Sequence, residues 1–94
     1  LTIGFFGARG ISVEKGVTDA DPDEVAMKQA LIAQCATTVI VADHSKWNAV
    51  APFTFADLRD VQTIITDESA SSALITRVRE RGVQVIAVPL PGGA

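Results

Sequence analysis

Short runs of β-branched and apolar residues alternate with helical patterns along the chain, and this alternation most constrains its fold. Runs at 37–42, 61–66 and 83–88 each have the length and composition of a buried strand. One helical pattern precedes the first run, and another separates the last two. Strands that alternate with helices in this way are typical of α/β domains. We therefore predict an α/β fold with a mostly parallel sheet and helices packed on its faces.

The first helix has a marked beginning. Asp21 can cap a helix that starts at Pro22, and Glu24 follows the cap by three residues. We expect this helix to run to Gln34 or Cys35.

A second helix is expected after a cap at Asp67 or Ser69, with Gly82 at its end. Its predicted apolar stripe comprises Ala70, Ala73, Leu74 and Val78.

The remaining segments are less regular. Residues 1–6 have the pattern of a strand already under way, so we expect the chain to be a fragment of a longer protein. Gly7, Gly10 and Gly16 then indicate a loop, and the alternation of Phe53 and Phe55 allows a short strand. We expect one domain over 1–88 and a frayed tail over 89–94.

Composition narrows the classes of function. The 94 residues carry a net charge of −3 and contain one cysteine and one histidine. No apolar run reaches the roughly 20 residues that a membrane span needs. A single cysteine forms no internal disulfide, which favours the cytoplasm, and one cysteine with one histidine cannot build a Cys/His zinc site. We expect no metal and no cofactor. A net negative chain without a basic stripe is also a poor candidate for binding nucleic acid by itself.

Two polar segments are expected at the carboxyl ends of strands, where α/β sheets bind ligands. The first is the loop 7–10, in which Arg9 and flanking glycines could receive an anion. A tight turn with a solvated arginine is the alternative, and residue chemistry alone favours it.

The second polar segment is 43–46, where Lys46 could neutralise a phosphate. Asp43 could accept from sugar hydroxyls or hold Lys46 in place. A polar turn with a surface ion pair explains the segment equally well. His44 and Ser45 are adjacent and would point to opposite sides, so we expect no Ser–His nucleophile and no catalytic residues.

Lys28 is unusual because it falls among positions of its helix that should be apolar. It could pair with Glu24 one turn earlier, with its stem over apolar neighbours. Alternatively, it faces a pocket where the helix meets the sheet.

These segments together resemble the effector-binding domain of DeoR-type bacterial transcriptional regulators. The resemblance rests on residues 5–12, 16–18, 24–32, 39–47 and 64–67. It implies a non-enzymatic sensor of a phosphorylated sugar with the fold of ribose-5-phosphate isomerases, usually a repressor that the effector relieves. It also implies homo-oligomers, and operator DNA bound only through an amino-terminal domain that is absent here.

Carried over by position, the resemblance implies a set of effector-binding residues. These are Gly7, Arg9, Gly10, Gly16, Thr18, Lys28, Asp43, Ser45 and Lys46. Trp47 stands where the family often has phenylalanine, and the family's usual glycine-rich phosphate loop is missing.

Two other hypotheses stay open at this point. The chain could be a fragment of a sugar-phosphate isomerase, which turnover of a pentose or hexose phosphate would reveal. It could instead be an oligomerisation module that binds no ligand.

Overall fold

Seven strands and two helices form over residues 2–89, the part of the chain that the computed structural model describes. In chain order they are β1 (Ile3–Gly7), β2 (Gly10–Ser12), β3 (Gly16–Asp19), α1 (Pro22–Ile32), β4 (Thr37–Val41), β5 (Phe53–Ala56), β6 (Thr63–Asp67), α2 (Ser72–Arg79) and β7 (Gln84–Val88). Two 3₁₀ turns, His44–Lys46 and Leu58–Asp60, flank β5. The tail predicted over 89–94 lies outside the described residues, apart from Pro89.

A four-stranded parallel sheet forms the centre of the fold, in the order β1-β4-β6-β7. One in-register row crosses all four strands and is buried throughout: Phe6, Ile40, Ile64 and Val85. Such β-branched and apolar runs are what a buried parallel strand needs. The predicted α/β class with a mostly parallel sheet is confirmed.

Both helices pack on the same face of this sheet. Val25 of α1 and the pair Ile75 and Val78 of α2 join one core with the buried row. The connections β1-α1-β4 and β6-α2-β7 step across the sheet in the same direction. Right-handed crossovers therefore place both helices on one side of the sheet.

The opposite face of the parallel sheet carries exposed apolar side chains over the described residues. Phe5 is 65% exposed, and Val41 and Ile86 lie on the same face in the register row two residues further along the strands. Parallel sheets are ordinarily covered on both faces. This open face is therefore a surface on which other polypeptide can pack.

A second, antiparallel sheet has the order β2-β3-β5. The loop predicted around Gly10 and Gly16 is wrong, because these glycines belong to a β-hairpin. Gly16 has φ 77°, a left-handed conformation that lets the hairpin reverse directly into β3. Ile11 and Val17 pair across the hairpin and are buried. The short strand suggested by Phe53 and Phe55 is confirmed as β5.

The capping residue predicted from the sequence is correct for α1 and wrong for α2. At α1, the Asp21 side chain accepts a hydrogen bond from the Asp23 amide at 2.9 Å, as expected, but the helix ends at Ile32. At α2, the cap is Ser71, whose side chain accepts from the Leu74 amide. The predicted cap at Asp67 or Ser69 is wrong, because the Asp67 carboxylate is bound elsewhere.

The predicted stripe of α2 is also partly wrong. Ala73 is exposed and Leu74 is half-buried, whereas Ile75 and Val78 face the core. Ala70 is buried but precedes the helix, so the buried positions within α2 are Ile75 and Val78, three residues apart on one face. Gly82 has φ 90° and forms part of the turn after α2, which confirms its role as a helix stop.

Candidate functional site

The carboxyl edge of the parallel sheet brings together the two polar segments singled out in the sequence. β1 and β4 are neighbours, and Gly7 pairs in register with Val41 at their ends. The loop that carries Arg9 follows β1, and the turn 43–46 follows β4. Ligands of α/β sheets bind outside this edge, so this is the candidate site.

The turn after β4 is organised by Asp43. Its carboxylate caps the 3₁₀ turn by accepting from the Ser45 amide at 2.8 Å and from the Ser45 hydroxyl. The hydrogen bond from the Ser45 hydroxyl is the largest cause that holds the pKa of Asp43 below its ordinary value. The Ser45 amide and the charge of Lys46 act in the same direction. Asp43 thus orients Ser45. No ion pair joins Asp43 to Lys46 in the described part of the chain.

The His44 side chain contacts a different carboxylate from the one that binds Ser45. Its Nδ1 lies 3.1 Å from both carboxylate oxygens of Asp67. The Ser45 hydroxyl is bound to Asp43, so serine and histidine do not form a nucleophile pair.

Lys28 lies where α1 meets both sheets. Its Nζ donates to Asp19 Oδ2 at 2.6 Å and to the Gly7 carbonyl at 2.8 Å. The ammonium also lies 4.9 Å from the centroid of the Phe55 ring, within range of a cation–π interaction. The hypothesis of a pair with Glu24 is wrong. Lys28 instead connects the end of β1 to β3 and β5.

Three other candidates occupy positions inside the antiparallel sheet. The Thr18 side chain is fully buried, and its hydroxyl donates to the Gly10 carbonyl and accepts from the Ala51 amide at 2.9 Å. Gly10 packs against the backbone of Ala49 with no room for a Cβ. Gly16 lines a separate cavity of about 320 Å³ beside Leu58. All three therefore have local structural partners.

A hollow of about 280 Å³ opens at the carboxyl ends of β4, β6 and β7. It is lined by Val41, Ala42, Asp43, Ile65, Thr66, Asp67, Val88 and Pro89. Of the candidate effector-binding residues, Asp43 lines this hollow, and Arg9, Ser45 and Lys46 do not. Within residues 2–89 no group of three or more histidine, cysteine or acidic side chains is arranged to hold a metal ion.

Comparison with known proteins identifies the family. A model of the DeoR C terminal sensor domain matches residues 1–68. The chain belongs to the DeoR C-terminal sensor domain family.

Several curated relatives of this sensor domain are transcriptional regulators. It is 32% identical over 82 residues to the HTH-type transcriptional regulator GlpR of Haloferax volcanii, covering 87% of the chain and 32% of that protein. It is 30% identical over 80 residues to the HTH-type transcriptional repressor GlcR of Bacillus subtilis, covering 85% of the chain and 31% of that protein. It is 28% identical over 86 residues to the glycerol-3-phosphate regulon repressor of Haemophilus influenzae, covering 92% of the chain and 33% of that protein.

The sensor domain thus spans about a third of the length of the relatives it matches. Their names describe regulators and repressors, which supports the non-enzymatic interpretation and gives no support to the isomerase hypothesis. Within residues 2–89 no helix combines the length and apolar character needed to cross a lipid bilayer.

Sequence reasoning missed two carboxylates of the sensor domain that order the site. Asp19 binds Lys28, and Asp67 binds the His44 amide at 2.8 Å and the Ser69 amide at 2.9 Å. The available signal was similar in both cases, an aspartate that directly follows a threonine at the end of a strand.

Asp19 gives the sensor domain a specific dependence on pH. The hydrogen bond from Lys28 outweighs burial and lowers the pKa of the Asp19 carboxyl. A lowered folded-state pKa contributes stability above the ordinary value of about 3.9 that is lost as pH falls through the folded pKa.

We therefore expect Asp19→Asn to lower the free energy of unfolding by about 2 kcal/mol near neutral pH and by progressively less below about pH 4. Urea unfolding of wild type and variant across this range measures the difference. Asp60→Asn, at an exposed position, is the matched control. A difference that is constant with pH would contradict the role of the ionised carboxylate.

Proposed function

We propose that the chain is the effector-binding part of a longer DeoR-type transcriptional regulator and that its effector is a phosphorylated sugar or a related small phosphate. The full-length protein would bind operator DNA through another part, act in the cytoplasm and repress until the effector binds. Homo-oligomers are part of the same proposal, and the open apolar face of the parallel sheet offers them a contact surface.

The observation that carries this proposal is the combination of Ser45 and Lys46 at the carboxyl edge of the sheet. Ser45 is oriented by Asp43, while the Lys46 ammonium takes part in no ion pair among residues 2–89. The Lys46 ammonium can donate to a phosphate oxygen, and the Ser45 hydroxyl, whose proton is directed at Asp43, keeps lone pairs that can accept from a sugar hydroxyl. The name of the Haemophilus influenzae relative includes a small phosphate ester, which supports this ligand class.

The candidate residues then divide by role. Arg9, Ser45 and Lys46 would contact the effector, because they belong to the two segments that follow β1 and β4 at this edge. Gly7 and Asp43 would shape the two loops, and Lys28 would hold Gly7 in place through its carbonyl. The hairpin behind the site would be supported by Gly10, Gly16 and Thr18.

A thermal-shift screen of the full-length regulator tests the proposal. The panel comprises glycerol 3-phosphate, fructose 1-phosphate, glucose 6-phosphate, inorganic phosphate and the matching unphosphorylated compounds. A ligand at about 100 times its Kd should stabilise the protein by about 2.7 kcal/mol. Stabilisation by no phosphorylated compound, or equal stabilisation by the unphosphorylated ones, would overturn the proposal.

Lys46→Ala is expected to weaken binding of the stabilising phosphate about ten- to hundredfold while the fold is retained. The reason is the loss of one charge-assisted hydrogen bond. Calorimetric titration of wild type and variant provides the measurement. Lys15→Ala, which removes the same charge from an exposed turn, is the control and should bind as wild type does. Unchanged affinity in Lys46→Ala would place this lysine outside the site.

A further inference from the structure

The turn that carries Ser45 and Lys46 is held from both sides by the end of β6. On the amino side, Asp67 Oδ2 accepts from the His44 amide at 2.8 Å, and the His44 ring lies 3.1 Å from both oxygens. The same carboxylate accepts from the Ser69 amide at 2.9 Å. The Asp67 side chain is 9% exposed, whereas the His44 side chain is half-exposed, so the carboxylate is shielded while the histidine keeps one side toward solvent.

On the other side, the Trp47 indole Nε1 donates to Thr66 Oγ1 at 3.0 Å. Both side chains are buried, and the Trp47 backbone bridges to Ile11 of β2. The next residue, Asn48, donates to the Ile11 carbonyl at 2.8 Å. The chain is therefore fixed immediately before Ser45 and immediately after Lys46.

Hydrogen bonds to Asp67 also outweigh the effect of its burial. Burial alone would raise the pKa of the carboxyl, but the amide and side chain of His44 and the amide of Ser69 bring it below the ordinary value. The carboxylate is therefore ionised at neutral pH and already supplied with donors. Such a group supports neighbouring atoms rather than offering free acceptors to a ligand.

We propose that Asp67 and Thr66 are positioning residues for effector binding, which act by holding His44 and Trp47 on either side of Ser45 and Lys46. This inference rests on the proposed function of the turn. Two adjacent residues of one rigid strand fix both ends of a short turn, so the hydroxyl and the ammonium are held in place before the effector arrives. Preorganisation of this kind raises affinity by lowering the ordering cost of binding.

Trp47 provides a readout that needs no effector, because it is the single tryptophan of the chain. In the 94-residue chain, Asp67→Ala and Thr66→Val should both increase quenching of Trp47 fluorescence by iodide while circular dichroism is retained. Asp67→Asn, which keeps one acceptor oxygen, should fall between wild type and Asp67→Ala. Asp60→Ala removes a carboxylate from an exposed position and should leave quenching unchanged.

The second measurement is binding of glycerol 3-phosphate and inorganic phosphate to the full-length regulator. Asp67→Ala should raise the Kd of the bound compound about tenfold, with Asp67→Asn intermediate. If Asp67→Ala loses its circular dichroism signal, Thr66→Val decides the matter, since valine has nearly the shape of threonine and carries a methyl group in place of the hydroxyl that accepts from the Trp47 indole. Wild-type affinity in a folded Thr66→Val variant, with Trp47 still shielded, would overturn the proposal.

The outcomes separate this inference from the proposed function. If the wild-type regulator binds no phosphorylated compound, the proposed function fails, and positioning for effector binding fails with it, even where quenching shows that the turn is held. If the wild type binds and the folded Asp67 and Thr66 variants bind equally well, only the positioning role fails.

Discussion

Lys28→Met should lower the free energy of unfolding by about 2–4 kcal/mol, because it removes one partner of a part-buried ion pair. Lys28 and Asp19 have side chains 14% and 10% exposed. Methionine preserves the stem but leaves the Asp19 carboxylate without its cation and the Gly7 carbonyl without its donor. Urea unfolding of the 94-residue chain measures the effect.

Two variants make this measurement specific. Lys15→Met replaces an exposed lysine and should change stability by less than about 0.5 kcal/mol. The double variant Lys28→Met/Asp19→Asn should be less destabilised than the sum of the two single variants, because it leaves no unpaired charge. A loss below about 1 kcal/mol in Lys28→Met would show that the pair is not a structural connection.

The second large effect is expected at Gly10. An alanine Cβ there would lie 2.6 Å from Thr18 Oγ1 and 2.8 Å from the Ala49 carbonyl carbon, and would overlap the Ala49 oxygen. Backbone atoms have to move to relieve these contacts, so Gly10→Ala should cost about 3 kcal/mol. Thermal or urea unfolding measures the cost.

Gly7→Ala, at the end of β1, is the matched control. A Cβ at Gly7 meets nothing within 4 Å, so this variant should stay within about 0.5 kcal/mol of wild type. Equal stability of the two variants would mean that the packing of β2 against Ala49 is not a constraint. The contrast also separates a glycine needed for packing from one that leaves space at the site.

The parts of the fold that the sequence predicted are those set by local patterns. β4, β6 and β7 appear as β-branched runs, and Asp21 with Pro22 marks the start of α1. The hairpin β2-β3 was not predicted, because its strands have three and four residues. Strands this short, with glycines among them, show no clear alternation of apolar and polar residues. Its pairing depends on a φ of 77° at Gly16 that no sequence pattern shows.

The candidate site was predictable in position but not in its internal contacts. Strand order alone brings the segments after β1 and β4 together. The partners of Lys28 and His44 are separated from them by 9 and 23 residues along the chain, and a local rule favoured Glu24 for the first. Such contacts depend on how β3 and β6 pack, which only the assembled fold determines.

The parallel sheet also has a consequence for the speed of folding. Its pairs join Ile3 to Thr37, Val39 to Thr63 and Thr63 to Gln84, so each requires closure of a long stretch of chain. The hairpin β2-β3 and the two helices form through near-neighbour contacts instead. Domains dominated by distant pairings fold slowly, because the entropy of loop closure is lost before the contacts form. The sheet edge that carries Ser45 and Lys46 should therefore be among the last parts of the chain to become ordered.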